Sequence, residues 1–301
     1  MAEDVCFGPP PWPPPILTTE QVRHIASQGW LPLELPDDLL ASLRELQSAT
    51  RDFFLRSDDE KRNLYPSSRG TECGFYEVPG EKQYLTLRHN LHHDTTLECH
   101  AGNFWRKVTS FLHRILCDLN RAGGYDLGAW DHVLESSHML PKSASDLDMV
   151  TTLLRLFKYE PTTGIASEHV DIGLLTLCIG GGRGLQVLDR SVEPPQWIDA
   201  TGPIVLIGDM TRALLRNQVR AGRHRVVGNP DGRYSTVFAL RPHLKGTTDL
   251  AMWGGKSVVD TREFYIKIKG SKHNINATHD VREKQRQKQR KNGESLAGGI
   301  G

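Results

Sequence analysis

No run of eighteen apolar residues occurs in the chain, so a membrane-spanning helix is not expected. The first stretch does not read as charged, then apolar, then small, so a secretory leader is not expected either. Charge of one sign is also lacking: 37 basic against 36 acidic side chains leave a formal net +1. Nothing in that balance argues for a nucleic-acid or membrane-surface partner. Cysteine is sparse and unpatterned. The five, Cys6, Cys73, Cys99, Cys117 and Cys178, are odd in number and show no CxxC or other ligand spacing. They read as free thiols, which implies a reducing compartment. The expected setting is soluble and cytoplasmic, and the expected state a monomer or weak homodimer.

At 301 residues the chain is long enough to bury a core around a metal within one domain. Residues 1–17 hold a proline-rich run with Trp12 in it, read as an extended arm. Thr18 or Thr19 caps a short helix that stops at Gly29, and a strand follows over Trp30–Leu35. Pro36-Asp37-Asp38 opens an amphipathic helix whose buried stripe is Leu39, Leu40, Leu43, Leu46, Phe53 and Phe54. Helices are also expected over Gly102–Asn120, Leu127–Leu134 and Val258–Ile275. From residue 150 to 245 the pattern changes to short strands between glycine and proline turns, which points to a sandwich or barrel. Residues 277–301 are basic and nearly free of apolar side chains, and read as a solvated tail.

The chemistry gathers between Leu153 and Leu240. His169 and Asp171, two apart on an expected strand, would point to the same face. His224 lies in a second expected strand, Gly222–Val227. One histidine on a strand is ordinary. Two histidines and one carboxylate on a single face of a metal leave the other face open, the arrangement of non-haem iron(II) sites. Arg233 and Ser235, again two apart, make a fork for a carboxylate. A histidine-rich stretch at His89, His92, His93 and Asp94 lacks cysteines and helical spacing, and reads as a solvated loop.

The segment Gly184-Leu185-Gln186-Val187-Leu188, then Trp197, Ile207-Gly208-Asp209, His224-Arg225-Val226 and Arg233-Tyr234-Ser235 resembles the 2-oxoglutarate/Fe(II)-dependent dioxygenases of the isopenicillin N synthase-like group. Ser27 to Leu33 and Phe53 to Lys61 resemble that group's N-terminal region, so the likeness spans roughly residues 18 to 270. The resemblance implies a mainly β fold with flanking helices, built on a double-stranded β-helix (jelly-roll) core. The domain would cover 18–276, with a helical part at 18–149, the core at 150–245 and a last helix at 258–275.

By the same resemblance His169, Asp171 and His224 bind Fe(II), and 2-oxoglutarate and O₂ take the remaining positions. Arg233 and Ser235 hold the distal carboxylate of 2-oxoglutarate, with Tyr159 beside them. Many members carry N-x-Y where this chain has Phe157-Lys158-Tyr159, so one polar contact is replaced by an aromatic ring. The implied reaction is oxidative decarboxylation of 2-oxoglutarate to succinate and CO₂, coupled to hydroxylation, desaturation, epoxidation or ring closure of a small molecule, with a specialised metabolite as the expected class. Tyr76, Arg88, His89, Arg155, Phe157 and Ala239 are expected substrate contacts, and the small side chain of Ala239 suggests room for a bulky substrate. Two other readings stay open: a same-fold iron oxidase that does not use 2-oxoglutarate, and a jelly-roll binding protein without catalysis.

Overall fold

The computed structural model describes residues 13–67, 72–90, 95–142, 150–161 and 166–270. Its framework is two antiparallel sheets packed face to face, with helices covering one of them. The larger sheet takes strands from both halves of the chain: β1 (Trp30–Pro32), β2 (Gly74–Val78), β3 (Lys82–Leu87), β4 (Leu153–Tyr159), β6 (Leu175–Gly180), β9 (Ile204–Ile207) and β11 (Arg233–Leu240). Their order across the sheet is β1-β9-β6-β11-β4-β3-β2. The smaller sheet contains β5 (Ala166–His169), β7 (Leu185–Asp189), β8 (Gln196–Asp199) and β10 (His224–Val226), in the order β5-β10-β7-β8. The two sheets do not join into one closed barrel; this is a jelly-roll core.

The large sheet is apolar on both faces, which is why its strands read as continuous hydrophobic runs. Leu154, Leu156, Leu177, Ile179, Phe238 and Leu240 face the helices and share their core. The intervening residues, among them Phe157, Tyr159, Cys178 and Leu206, face the smaller sheet and pack with Leu185, Val187 and Val226. On the helical side lie α1 (Thr19–Gln28), α2 (Asp37–Phe54), α3 (Asp58–Leu64), α4 (Thr96–Gly123) and α5 (Ala129–Leu134). Thr18 closes a capping box on α1 with Gln21, and Gly29 ends that helix at φ 83°. Arm residues 13–17 lie along α4, where Asp118 accepts the backbone N–H groups of Ile16 and Leu17 at 2.9 Å. No described helix is long and apolar enough to cross a membrane.

Several expected boundaries move. The strand expected over Trp30–Leu35 ends at Pro32, because Pro32 supplies no N–H for the ladder. The helix expected over Gly102–Asn120 starts six residues earlier, at Thr96, with Thr95 as its cap, and runs to Gly123. The expected helix Val258–Ile275 divides: β13 (Val258–Asp260) pairs with β12 (Thr247–Asp249), and α7 begins only at Thr261 and is described to Gly270. The hairpin β2–β3, the helix α3 and the short helix α6 (Asp209–Leu214) were not anticipated. Cys6, Trp12, His92, His93, Asp94 and the basic tail lie outside the described residues.

One close approach fixes the geometry near the site. A Cβ on Gly208 would lie 2.0 Å from the carbonyl oxygen of Gly173. The segment after Gly208 donates Asp209 N–H to the Asp171 carbonyl and Met210 N–H to Gly173, at 2.8 and 3.1 Å. Gly208→Ala must push the Asp171–Gly173 turn away, at a cost of ~1–3 kcal/mol. The expected outcome is a melting temperature lowered by several degrees together with weaker iron binding. Gly181→Ala, where the added methyl meets nothing within 4 Å, leaves both unchanged. Calorimetric melting and an iron titration of the two variants check this.

Candidate active site

β5 and β10 are neighbours in the smaller sheet, and their register places His169 directly opposite His224. Residues so paired hold their Cβ atoms about 4.5–5.5 Å apart, and here the two imidazole centroids are 4.1 Å apart. β5 ends at His169, so Asp171 is not on the strand as expected. It stands two residues past the strand end, in a turn tied down through its carbonyl by Asp209. The turn performs what strand alternation was expected to do. Asp171 Oδ1 lies 3.7 Å from His169 Nε2 and 4.0 Å from His224 Nε2.

The hydrogen bonds on the far side of each ring settle which nitrogen is available. His169 Nδ1 donates to the Ser167 carbonyl at 2.6 Å, and His224 Nδ1 donates to the Gly222 carbonyl at 3.0 Å. A carbonyl oxygen only accepts, so each Nδ1 carries a proton, and Nε2 is the nitrogen turned toward Asp171 and the one that would ligate a metal. Backbone carbonyls of this kind orient ligating imidazoles in metal sites generally. Burial by itself would raise the Asp171 carboxyl; the His224 and His169 rings outweigh it and hold the group below its ordinary value. Among the described residues this is the one cluster of three His, Cys, Asp or Glu side chains whose donor atoms lie within 4.8 Å of one another. The donor set fits a divalent metal of the iron class.

The triad opens into a cavity of about 70 Å³ between the sheets. Its floor is the inner face of β4, β6 and β11. Cross-strand pairing sets Arg233 against Tyr159, Ser235 against Phe157 and Val237 against Arg155. Cys178 faces the same space from β6, and burial pushes its thiol well above the usual cysteine range. The Arg233 guanidinium lies 4.8 Å from the Tyr159 ring centroid. It is given room by Gly184 at φ 152°, where a Cβ would come within 2.7 Å of it. Arg233 Nε is buried and has no hydrogen-bond partner among the described residues. An orphaned buried donor of this sort fits a carboxylate that enters as ligand. Burial raises the Tyr159 hydroxyl, and the charge of Arg233 offsets part of that rise.

Structural comparison agrees. A Neurospora crassa protein solved with α-ketoglutarate and thymine matches 84% of this chain and 90% of its own, at 16% identity and TM-score 0.64. A putative 2OG-Fe(II) oxygenase family protein from Caulobacter crescentus matches over 84% and 93%, at 18% identity and TM-score 0.65. A rice dioxygenase for auxin oxidation matches over 86% and 91%, at 17% identity and TM-score 0.61. The fold is that of the 2-oxoglutarate/Fe(II) oxygenases. No family model and no curated protein sequence matches the chain.

Within this oxygenase fold the expected site residues separate into two groups. His169, Asp171, His224, Arg233, Ser235, Tyr159, Arg155 and Phe157 all line the one cavity. Ser235, expected to donate to a carboxylate, instead donates its hydroxyl to the Ile179 carbonyl at 3.1 Å, and it would have to rotate to serve a ligand. Tyr76, Arg88, His89 and Ala239 do not line the cavity. Tyr76 stacks on Tyr84, which lies between it and Phe157. Arg88 Nη2 donates to the Val150 carbonyl at 2.7 Å, and His89 Nδ1 contacts the Asn90 carbonyl at 2.9 Å. Ala239 sits one step beyond Val237, between Leu153 and Thr176, so its small side chain does not enlarge the cavity. Sequence reasoning missed the lining residues Ala166, Cys178, Leu185 and Val226, which are ordinary apolar strand residues with no local signal.

Proposed function

We propose that the protein is an Fe(II)/2-oxoglutarate-dependent oxygenase acting on a small molecule in the cytoplasm. The observation that carries this is one cavity with a convergent His-Asp-His set at one wall and a buried arginine with an orphaned Nε at the other. His169 and His224 would hold the iron as neutral imidazoles, and Asp171 would supply the anionic oxygen. Bound together, iron and 2-oxoglutarate supply oxidation of a substrate C–H bond at the expense of decarboxylation to succinate and CO₂.

The chain's own residues bind, orient and exclude. Arg233 would pair with the distal carboxylate of 2-oxoglutarate, which would otherwise be a costly buried charge. Tyr159 packs flat against Phe157 at 5.2 Å and backs that guanidinium. Phe157, Val237, Val226 and Leu185 keep water from the space between, so a substrate there meets an apolar wall. The Neurospora protein was solved in complex with thymine and the rice protein is described as a dioxygenase for auxin oxidation, which supports a small organic molecule of that size as substrate. A specialised metabolite is our reading of the class.

Iron-dependent succinate formation is the test. Purified protein with Fe(II), ascorbate, O₂ and 2-oxoglutarate is expected to release succinate slowly without a substrate, and removal of iron by a chelator stops it. Absence of succinate from iron-loaded protein would contradict the proposal and favour an oxidase that does not use 2-oxoglutarate.

A further inference from the structure

The cavity floor carries an arginine at each end, and 2-oxoglutarate accounts for only one of them. Arg233 pairs with Tyr159, while Arg155 lies four residues back along β4, roughly 13 Å away at about 3.3 Å per residue. Arg155 Nε donates to Thr86 Oγ1 at 2.9 Å across the β3–β4 pair. Its guanidinium lies over the rings of Tyr84 and Phe157, at 5.5 and 6.0 Å, so one side of it is already apolar.

Behind Arg155, outside the cavity lining, one carboxylate oxygen, Glu72 Oε2, lies between it and Arg241. It lies 3.9 Å from Arg155 Nη2 and 3.5 Å from Arg241 Nη1. Well-made pairs between guanidinium and carboxylate close to about 2.7–2.9 Å, so both contacts are loose. The two arginine side chains are 11% and 16% exposed, against 45% for Glu72. Glu72 also sits at φ 56°, a backbone conformation that non-glycine residues hold at a cost. Arg241 Nε is buried with no hydrogen-bond partner among the described residues. Burial works against the Arg241 charge, but Tyr265, Glu72 and Asp171 around it more than restore it. Arg241 therefore feels both the iron-ligand carboxylate and Glu72. Arg88 is near enough to add its own charge, and burial and Arg241 together depress it.

We propose that Arg155 and Arg241 are the binding site for a carboxylate on the substrate, and that Glu72 holds the place until that carboxylate displaces it. The inference rests on the oxygenase reading and names its substrate class: small amphipathic carboxylic acids. The acid group docks at the Arg155 end, and the apolar body lies along Phe157 and Val237 toward the triad. Carboxylate is chosen over other anions because a carboxylate is the group the two arginines already face.

Anaerobic calorimetry on the full chain tests this in two steps. Iron-loaded protein is first titrated with 2-oxoglutarate, then with matched probes: phenylacetate against phenylacetamide, and 2-naphthylacetate against its amide. The acid of each pair is expected to bind about tenfold or more tighter than the amide. Arg155→Gln and Arg241→Gln are each expected to erase the preference, and Arg155→Lys to keep part of it. Glu72→Gln, which removes the competing charge, is expected to strengthen acid binding several-fold. Equal affinity of acid and amide in the unaltered protein overturns the inference, and so does a preference that survives both glutamine variants. The unaltered protein decides even if a variant fails to fold. A missing 2-oxoglutarate signal in the first step sinks the oxygenase reading as well; a normal first signal with equal affinities sinks this inference alone.

Discussion

Asp171→Ala is expected to abolish iron-dependent succinate formation. The carboxylate is the only anionic member of the triad, and the two Nε2 atoms converge on it at 3.7 and 4.0 Å. Without it two neutral imidazoles remain, a weak bidentate site with no charge to offset a dication. Changing a residue that merely orients a metal ligand commonly costs roughly 10–100-fold in affinity or activity, so loss of the ligand itself should exceed about a hundredfold. The measurement is iron stoichiometry by metal analysis after desalting, alongside succinate release. Turnover retained at normal iron loading would remove Asp171 from the ligand set. A fall in turnover with iron fully retained would assign it another task.

The second large effect belongs to Arg233. Its charge lies buried against Tyr159, with Gly184 leaving it space and Nε lacking a partner. If the distal carboxylate of 2-oxoglutarate binds there, Arg233→Gln strands that carboxylate in an apolar cavity. Breaking a buried pair from one side costs ~3–5 kcal/mol, so the KM for 2-oxoglutarate should rise by more than about a hundredfold at 1.4 kcal/mol per tenfold. Iron binding should be unchanged, because Arg233 is not among the three donors. Arg233→Lys should fall between the two, since an ammonium keeps the charge and loses the planar fork. Equal KM values for all three proteins would show that Arg233 is structural.

The two predictions differ in how legible their basis is in the amino-acid sequence. Arg233, Ser235, Phe157 and Tyr159 can be placed from period-two alternation alone, because they lie on long central strands in unbroken register. The same rule extended to Ala239 went too far. Alternation says which face a side chain takes, not where along the strand a cavity ends. His169 and Asp171 were paired for the right purpose by the wrong device: β5 stops at His169, and a turn pinned by Asp209 presents the carboxylate. That pin comes from α6, a six-residue helix too short for its period to be read.

The Arg155 end of the cavity was the least legible part. Arg155 can be placed by parity with Tyr159, but Arg241 and Glu72, which meet it through one carboxylate oxygen without lining the cavity, come from far along the chain. Tyr76, Arg88 and His89 are near in sequence to strands that border the cavity, yet Tyr84 and the backbone at Val150 and Asn90 take up their side chains. Helix ends fared better where a capping residue fixes them, as at Thr18 and Gly29. They fared worse where the first turn of α4, at Thr96 to Ala101, carries polar residues that mask its period.

Anaerobic titration of metal-free protein with Fe(II), followed by 2-oxoglutarate, reaches the central claim most directly. One equivalent of iron is expected to bind. One equivalent of 2-oxoglutarate should then bind to the iron form, and much more weakly to the metal-free form or to Arg233→Gln. Iron that does not bind, or 2-oxoglutarate that binds equally well without iron and without Arg233, would contradict the account.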